Sequence, residues 1–597
     1  MSQAQDSIVS DSNIMKTILR LNSPCPPPYW ALLERELIST QSIAVQEFYD
    51  HYFDERGYLK CVPRWGGDDG PDDAAENMLN WTMLHALGAP NIVLELYKRG
   101  WEGHLKQYTE AKTIEVPLAR DGMYFREFPV MFDWFHHSEG FSAFFLQGLS
   151  DPYDELFQRR TRRFCGLYMN EDPLANNYDP KNKVIRSMFN GSRGPLMRKA
   201  TGLDWAGDPI DVERFGSVLH GEQSYEEMLA HFKDYNDVVG DHPLNLCTTT
   251  LALNAYMLSG EAKYKDWLVE YVDTWVQRTE DNHGIIPTNI GLDGSIGGSC
   301  SGKWYGGAYG WGFTVEVPQT GELAHRPAFL ARAHYGFGNA LLQTGNKRYV
   351  DTWRGVIDKV NENAKQIDGK IHYPHMFGDE GWYDYTPYPF NDGALEVYYW
   401  SMDAADRTRV SDNPWIAFLG GEDPEFPVKA LQEAIETVRS KVVALRDDNS
   451  TPDTRLSDDM NSINPATTEV LTQLMMGGLP TGRVGFPLHC RLRYFDPLLK
   501  RAGIPEDVGA LVESMTDDEV TVKLVNINPV TKRTIILQGG AYGEHQFQTV
   551  STNGESITID RSAFKVHLSP GCGSQLKISM KRYANPPTLL FPWDRDY

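Results

Sequence analysis

Two stretches of this chain repeat each other. NAYMLSGEAKYKDWLVEYVDTWVQ, from Asn254, and NALLQTGNKRYVDTWRGVIDKVNE, from Asn339, carry Asn, Gly and Tyr at the same offsets (Asn254, Gly260, Tyr264; Asn339, Gly345, Tyr349). Each reads as a helix, a glycine that ends it, and a second helix. A looser third copy, NWTMLHALGAPNIVLELYKRGWEGHL, has the same hinge at Leu87 and Gly88. A helix pair cannot bury its apolar faces alone, so repeated pairs imply a toroid or a solenoid.

At 597 residues, with 41% hydrophobic and 12% aromatic content, the chain can bury a large core and is expected to form one big domain and a smaller one. Residues 1–27 read as a leader without the basic-then-apolar pattern of a signal segment, and no apolar run is long enough to span a bilayer. A cytoplasmic location is expected, with no membrane partner. The seven cysteines show no CxxC or CxH spacing, which excludes a zinc knuckle and a disulfide framework and points to reduced thiols. A net charge of −24 makes nucleic acid an unsuitable partner.

Helical periodicity starts at Pro28 and the hairpins continue to about residue 410. Long Gly- and aromatic-rich connections separate them, and loops of that length and composition point to function. Residues 411–480 read as a more polar helical linker. From 481 to 597 the period changes to alternation between turn residues (EVTVKLVNI, RTIILQGG, AFKVHL, QLKISMKRY), the mark of an antiparallel β-sandwich. The expected fold is therefore mainly α: an (α/α) toroid of six or seven hairpins over 28–410, followed by a β-sandwich.

That order resembles the (α/α) toroid carbohydrate-active enzymes. Within them the combination of NGSRG (190–194), GDHPLN (240–245) and KWYGGAYGWGF (303–313) is most similar to uronate polysaccharide lyases such as alginate and glucuronan lyases. The resemblance implies β-elimination of an acidic oligosaccharide. In such a reaction a base removes the proton at C5 while Asn, His or Arg neutralises the adjacent carboxylate. The matching residues are Tyr305 or Tyr309 as base, with His220 as a further candidate, and Asn190, Arg193, His242 and Asn245 around the carboxylate. Trp65, Asp68, Asp69, His136, His137, Glu139, Trp304, Trp311, His375, Trp382 and Tyr383 are the candidates for binding sugar, because pyranose faces stack on aromatic rings and hydroxyls need polar partners.

The residues also support a glycoside hydrolase of the same fold, which needs two carboxylates across the scissile bond. Asp68, Asp69, Asp72, Asp73 and Glu76 cluster after Trp65, with Glu139 and Asp379 as opposite partners. Asp72 and Asp73 are expected to cap a helix and oppose its dipole. A non-catalytic sugar-binding or scaffold protein is the third reading. No cofactor or metal is expected: adjacent His136 and His137 would point apart on a helix and could not chelate together. A homodimer through the β-domain is open, and His545 reads as a solvent-exposed turn residue.

Overall fold

The computed structural model describes residues 7–10, 17–63, 70–112, 120–198, 238–312, 314–316, 323–325, 330, 332–481 and 485–595. After strands β1 (Ser7–Ser10) and β2 (Thr17–Leu21), the chain is helical: α1 (Tyr29–Tyr52), α2 (Pro71–Glu76), α3 (Trp81–Leu87), α4 (Asn91–Glu110), α5 (Trp134–Gly140), α6 (Ser142–Ser150), α7 (Glu155–Gly166), α8 (Thr249–Ser259), α9 (Ala262–Asp281), α10 (His334–Thr344), α11 (Arg348–Asn361), α12 (Ala394–Ser401), α13 (Phe426–Asp447) and α14 (Glu469–Met476). Two kinds of helix alternate. Every residue of α3 and α6 is buried, and nearly every residue of α8 and α10. By contrast α11 buries Tyr349, Val350, Trp353, Val356, Ile357 and Val360, one stripe at helical spacing. The wholly buried helices lie inside and the amphipathic ones outside.

Contacts run in order round the helices. α3 packs on α6, α6 on α8 and α8 on α10, while the outer α4, α7, α9 and α11 pack on their inner neighbours. Tyr399 of α12 donates to the Gly477 carbonyl at the end of α14 (2.8 Å). Asn80, before α3, donates to Ala466 O (3.2 Å), before α14. The first outer helix, α1, lies along the last, α13. This helical region resembles a toroid.

The sequence repeat has a packing cause. Asn254 reaches back from α8 to Phe145 O of α6 (3.3 Å), and Asn339 reaches from α10 to Thr249 and Thr250 Oγ1 of α8 (2.8 and 3.1 Å). The same residue thus ties each inner helix to the one before it. Gly260 and Gly345 both take φ of 69° as left-handed C-caps, a conformation that favours glycine. Tyr264 and Tyr349 are both buried in the first turn of the outer helix that follows. Trp267, Trp275 and Trp353 are core residues, as their periodicity predicts.

Several boundaries differ from the sequence reading. Residues expected in a leader form β2, which pairs in parallel with a strand near the C-terminus, Ala563–Leu568. Residues 411–480 are no linker, since α13 and α14 belong to the helical packing. The aromatic segment after His372, expected as a loop, is a sheet of β3 (Lys365–Ile367), β4 (Lys370–Gly378) and β5 (Gly381–Thr386). Alternation in HYPHMF was masked by Pro374 and by polar residues on the half-exposed face.

The C-terminal region adds β6 (Leu492–Asp496), β7 (Arg501–Ala502), β8 (Val508–Met515), β9 (Glu519–Asn526), β10 (Arg533–Gly539), β11 (Gln546–Thr552), β12 (Glu555–Arg561), β13 (Ala563–Leu568) and β14 (Gly573–Lys581). They form two sheets, ordered β1-β2-β13-β10-β6-β7 and β8-β9-β14-β11-β12. Strand β8 packs against α1 and α14, and one buried hydrophobic cluster runs through helices and sheets. His545 is buried here, its Nδ1 accepting from Tyr583 N (3.1 Å), and is not a surface turn residue. No helix among the described residues is long and apolar enough to cross a membrane.

Inner helices approach closely where glycine allows it. A Cβ on Gly338 of α10 would stand 2.4 Å from Cζ2 of the buried Trp400 in α12. Gly338→Ala is therefore expected to lower stability by about 1–3 kcal/mol despite alanine's higher helix propensity. Urea unfolding of the two proteins measures it; an unchanged or raised midpoint would show that this contact does not set the helix spacing.

Candidate active site

Helices α2 and α5 hold the densest group of ionisable side chains among the described residues. Gly70 precedes α2 in extended conformation, Pro71 opens it, and Asp72 and Asp73 fall in its first turn. The Gly140 position at the end of α5 lets the Asp72 backbone come within 3.2 Å of where a Cβ would be. Helix α5 starts at Asp133, whose Oδ1 accepts from Phe135 N (2.9 Å) and His136 N (3.2 Å). His136 Nδ1 donates to the same oxygen (2.9 Å). One ligating atom each of Asp72, His136 and Glu139 lies within 4.8 Å of the others.

Arg332, just before α10, closes the group. Its Nη2 donates to Glu139 Oε1 (2.7 Å), and its Nη1 to Phe135 O and Ser138 Oγ (2.8 Å to the hydroxyl). The guanidinium also lies 3.8 Å from the centre of the Phe135 ring. On the far side Asn461 donates to Glu76 Oε2 (3.1 Å).

Burial pushes the Asp72 carboxyl up to about 7 against the opposing pull of His136, and the charges of Glu139 and Glu76 add to the rise. Asp73 is raised as well, by burial and then by Asp72 and Asp458. Burial alone would lower His136, but Asp133, through charge and hydrogen bond, and then Asp72 and Glu139 lift it to about 9. Asp133 stays below the usual carboxylate range despite its burial, because His136 stabilises its charge. At neutral pH the group thus holds a charged imidazole and a carboxyl near half-protonation. Asp72, His136 and Glu139 are also the donor set a divalent cation would take; the His136 proton and Arg332 supply positive charge at those same atoms.

Beside this group lie other residues singled out in the sequence. His137 points away from His136, as expected, and its Nε2 donates to Asn190 O (2.9 Å). Asn190 is wholly buried: its Oδ1 accepts from Tyr168 and its Nδ2 donates to Ser187 O and Met188 O (both 3.1 Å). It braces the loop that carries it and has no face for a ligand. His242 caps the 3-10 turn Pro243–Thr248, Nδ1 accepting from Leu244 N (3.2 Å). Its approach to the Tyr309 backbone falls short of hydrogen-bond geometry, so Nε2 has no partner. Burial holds His242 down to about 3 and His137 to about 4, and both are neutral at pH 7. Tyr309, at a positive φ of 59°, brings its ring 6.5 Å from that of His242.

The same Gly-rich loop carries Trp304 and Tyr305 to a half-exposed aromatic surface with Phe377 and Trp382. Ring centres lie 4.7 Å apart for Trp304–Phe377 and 5.1 Å for Phe377–Trp382. The Tyr305 hydroxyl donates to Asp379, which also receives Lys303 Nζ (2.7 Å). Burial and that carboxylate push Tyr305 up to about 12. Tyr383 is half-buried over Gly378, and His375 Nε2 lies 3.0 Å from Tyr388 O and from Thr386 Oγ1. Trp311 departs from the expectation of a sugar-stacking residue: it is fully buried, with its indole N–H on Ile286 O (3.0 Å). Trp134 is equally buried. Arg193 sits at the surface, paired with Asp121 and lying over the Phe125 ring. Trp65, Asp68, Asp69 and His220 lie outside the described residues.

Sequence reasoning treated Asp72 and Asp73 as helix caps and passed over Asp133 and Arg332. The N-cap of α2 is Gly70, with no side-chain cap, and Asp72 faces α5 instead. Asp133 was open to recognition as the N-cap of FDWFHHSEG, three residues before a histidine. Arg332 carried no local signal.

The chain belongs to a family described as a domain of unknown function (DUF8034), whose pattern matches residues 19–412 and 410–472. No curated protein matches it in sequence. Among solved structures it is similar to a sugar epimerase from a ruminal bacterium, at 10% identity and a TM-score of 0.25, over 61% of this chain and 97% of that one. The chemistry of the site rests on its own geometry.

The folded-state value of His136 lies above the ordinary 6.5, so its interactions with Asp133, Asp72 and Glu139 stabilise the fold fully below pH 6.5 and are lost as pH rises through about 9. The melting temperature of the wild type is expected to fall across that window, and that of His136→Asn to be flatter. Parallel curves would show that His136 is not held as an ion.

Proposed function

We propose that this protein is a carbohydrate-active enzyme that cleaves a glycosidic bond by general acid–base catalysis at Asp72 and Glu139. The fold in this reading is an (α/α) toroid of six outer–inner pairs, α1/α3, α4/α6, α7/α8, α9/α10, α11/α12 and α13/α14, with the two C-terminal sheets as a β-sandwich. The observation that carries it is the convergence of Asp72 and Glu139 about His136 within 4.8 Å, with Asp72 keeping a proton up to about pH 7. Asp72 donates that proton to the departing oxygen. Glu139, held in place by Arg332 (2.7 Å), attacks or stabilises the sugar carbon from the other side. Carboxyl oxygens within 4.8 Å of each other leave no room for the intervening water of inversion, which needs roughly 6.5–9.5 Å, so the reading implies retention of configuration. The Trp304, Phe377 and Trp382 surface supplies faces on which sugar rings stack. Location in the cytoplasm is supported by the absence of any disulfide among the seven cysteines.

Elimination from an acidic oligosaccharide is the second reading, favoured by the approach of Tyr309 to a neutral His242. Two of its neutralisers for the substrate carboxylate are engaged elsewhere, Asn190 inside its own loop and Arg193 on Asp121. Tyr305, at about 12, is a poor base while Asp379 holds its hydroxyl.

A panel of neutral and acidic oligosaccharides, assayed for new reducing ends and for the near-ultraviolet absorbance of a C4=C5 double bond, separates the readings. Reducing ends without absorbance are expected. Asp72→Asn and Glu139→Gln should each lower turnover by about 10²–10⁴-fold, and wild-type activity should fall as pH rises through about 7. Absorbance that survives both substitutions would overturn the acid–base pair in favour of elimination.

A further inference from the structure

A second polar cluster lies where the helices meet the sheets. In the run from His489 to Arg493, alternate residues share one side, and that side faces the helical region. His489 accepts from the Trp400 indole (3.2 Å), Arg491 lies 4.8 Å from the Tyr399 ring centre, and Arg493 donates to Leu149 O. His489 and Arg491 are wholly buried.

The unpaired atoms of this cluster are all donors. Because His489 Nδ1 accepts from Trp400, the neutral ring carries its proton on Nε2, and that N–H has no acceptor. Arg491 spends Nη2 on Thr516 O (3.3 Å), but Nε and Nη1 have no partner. No carboxylate among the described residues forms a hydrogen bond or ion pair with Arg491, and Asp517 acts on it only at a distance. Asp517 is taken by Arg582, which also donates to Tyr399 O (3.1 Å) and Trp400 O (2.8 Å). Glu544 is tied to its own turn through Ala541 N (3.2 Å) and Tyr542 N (2.8 Å). A buried guanidinium without a counter-charge is costly. A water molecule would accept from these groups but would bring two hydrogens needing acceptors of their own. A ligand that only accepts and carries negative charge answers every missing interaction. The enclosure by Tyr399, Trp400 and Phe486, on which His489 stacks at 4.9 Å and 17°, favours a monatomic one.

We infer that a chloride-sized anion is bound in this interface by Arg491 Nε and Nη1 and by His489 Nε2, joining the helical region to the sheets. The inference is independent of the reaction proposed for Asp72 and Glu139. The full chain is melted at constant ionic strength while chloride replaces gluconate, and crystals are grown in bromide. Wild-type melting temperature should climb with the logarithm of chloride concentration, Arg491→Met should lose that dependence, and an anomalous bromide peak should lie between Arg491 and His489. The wild-type bromide experiment decides the matter if the variant does not fold. Melting indifferent to chloride, with water and no bromide at the two side chains, overturns the anion site.

Discussion

The structure depends on hydrogen bonds between helices that have no solvent-facing side. An inner helix buried all round cannot use a polar face to set its rotation, so something inside must do it. Thr82 Oγ1 on Ala143 O (2.9 Å), Asn254 on Phe145 O and Asn339 on the two threonines of α8 serve that purpose, each tying one inner helix to the next. Each bond is buried, and breaking one would strand a polar group at a cost of about 1–3 kcal/mol. Together with glycine-permitted approaches such as Gly338 to Trp400, these bonds fix spacing and rotation.

Fixed rotation separates two kinds of connection. Turns from inner to outer helices are short, with left-handed Gly260 and Gly345 as caps and Gly88 packed against the Ile504 backbone. Connections from outer to inner helices are long, and the ionisable groups of the site all lie on them. Asp72 and Glu76 precede α3, Asp133, His136 and Glu139 precede α6, His242 precedes α8, Arg332 precedes α10, and Asp458 and Asn461 precede α14. The site therefore stands at the N-terminal ends of the inner helices, where their dipoles favour negative charge. One end of the helical region holds it together and the other carries the ionisable cluster.

This division explains what could be read from sequence. Helix periodicity, the Gly caps and the β-alternation after residue 481 depend on neighbours a few positions apart, and the order of a toroid-like helical region before a strand-rich one followed from them. That the long loops hold the candidate site also followed, from their length. The assembly of the loops did not. Asp72 and Asp73 looked like caps because their local setting, after Gly-Pro at a helix start, is that of caps; what makes Asp72 different is Gly140, sixty-eight positions on. Asn190 looked like a ligand because NGSRG is polar, whereas its amide satisfies the backbone of its own turn. β2 was missed because its partner, β13, lies at the other end of the chain.

Charge balance accounts for the character of the site. Asp72, Asp73, Glu76, Asp133, Glu139 and Asp458 stand within electrostatic reach of one another, and His136 and Arg332 are the cations hydrogen-bonded into the group. Two carboxylates at 4 Å repel by about 4 kcal/mol at an effective dielectric of 20, so the group cannot remain fully ionised. His136 fixes charge on Asp133, which leaves Asp72 and Asp73, buried among negative neighbours, to hold the proton. Carboxyl groups in one cluster, Asp133 and Asp72, are thereby driven to opposite protonation states, the condition under which one can give a proton while the other carries charge.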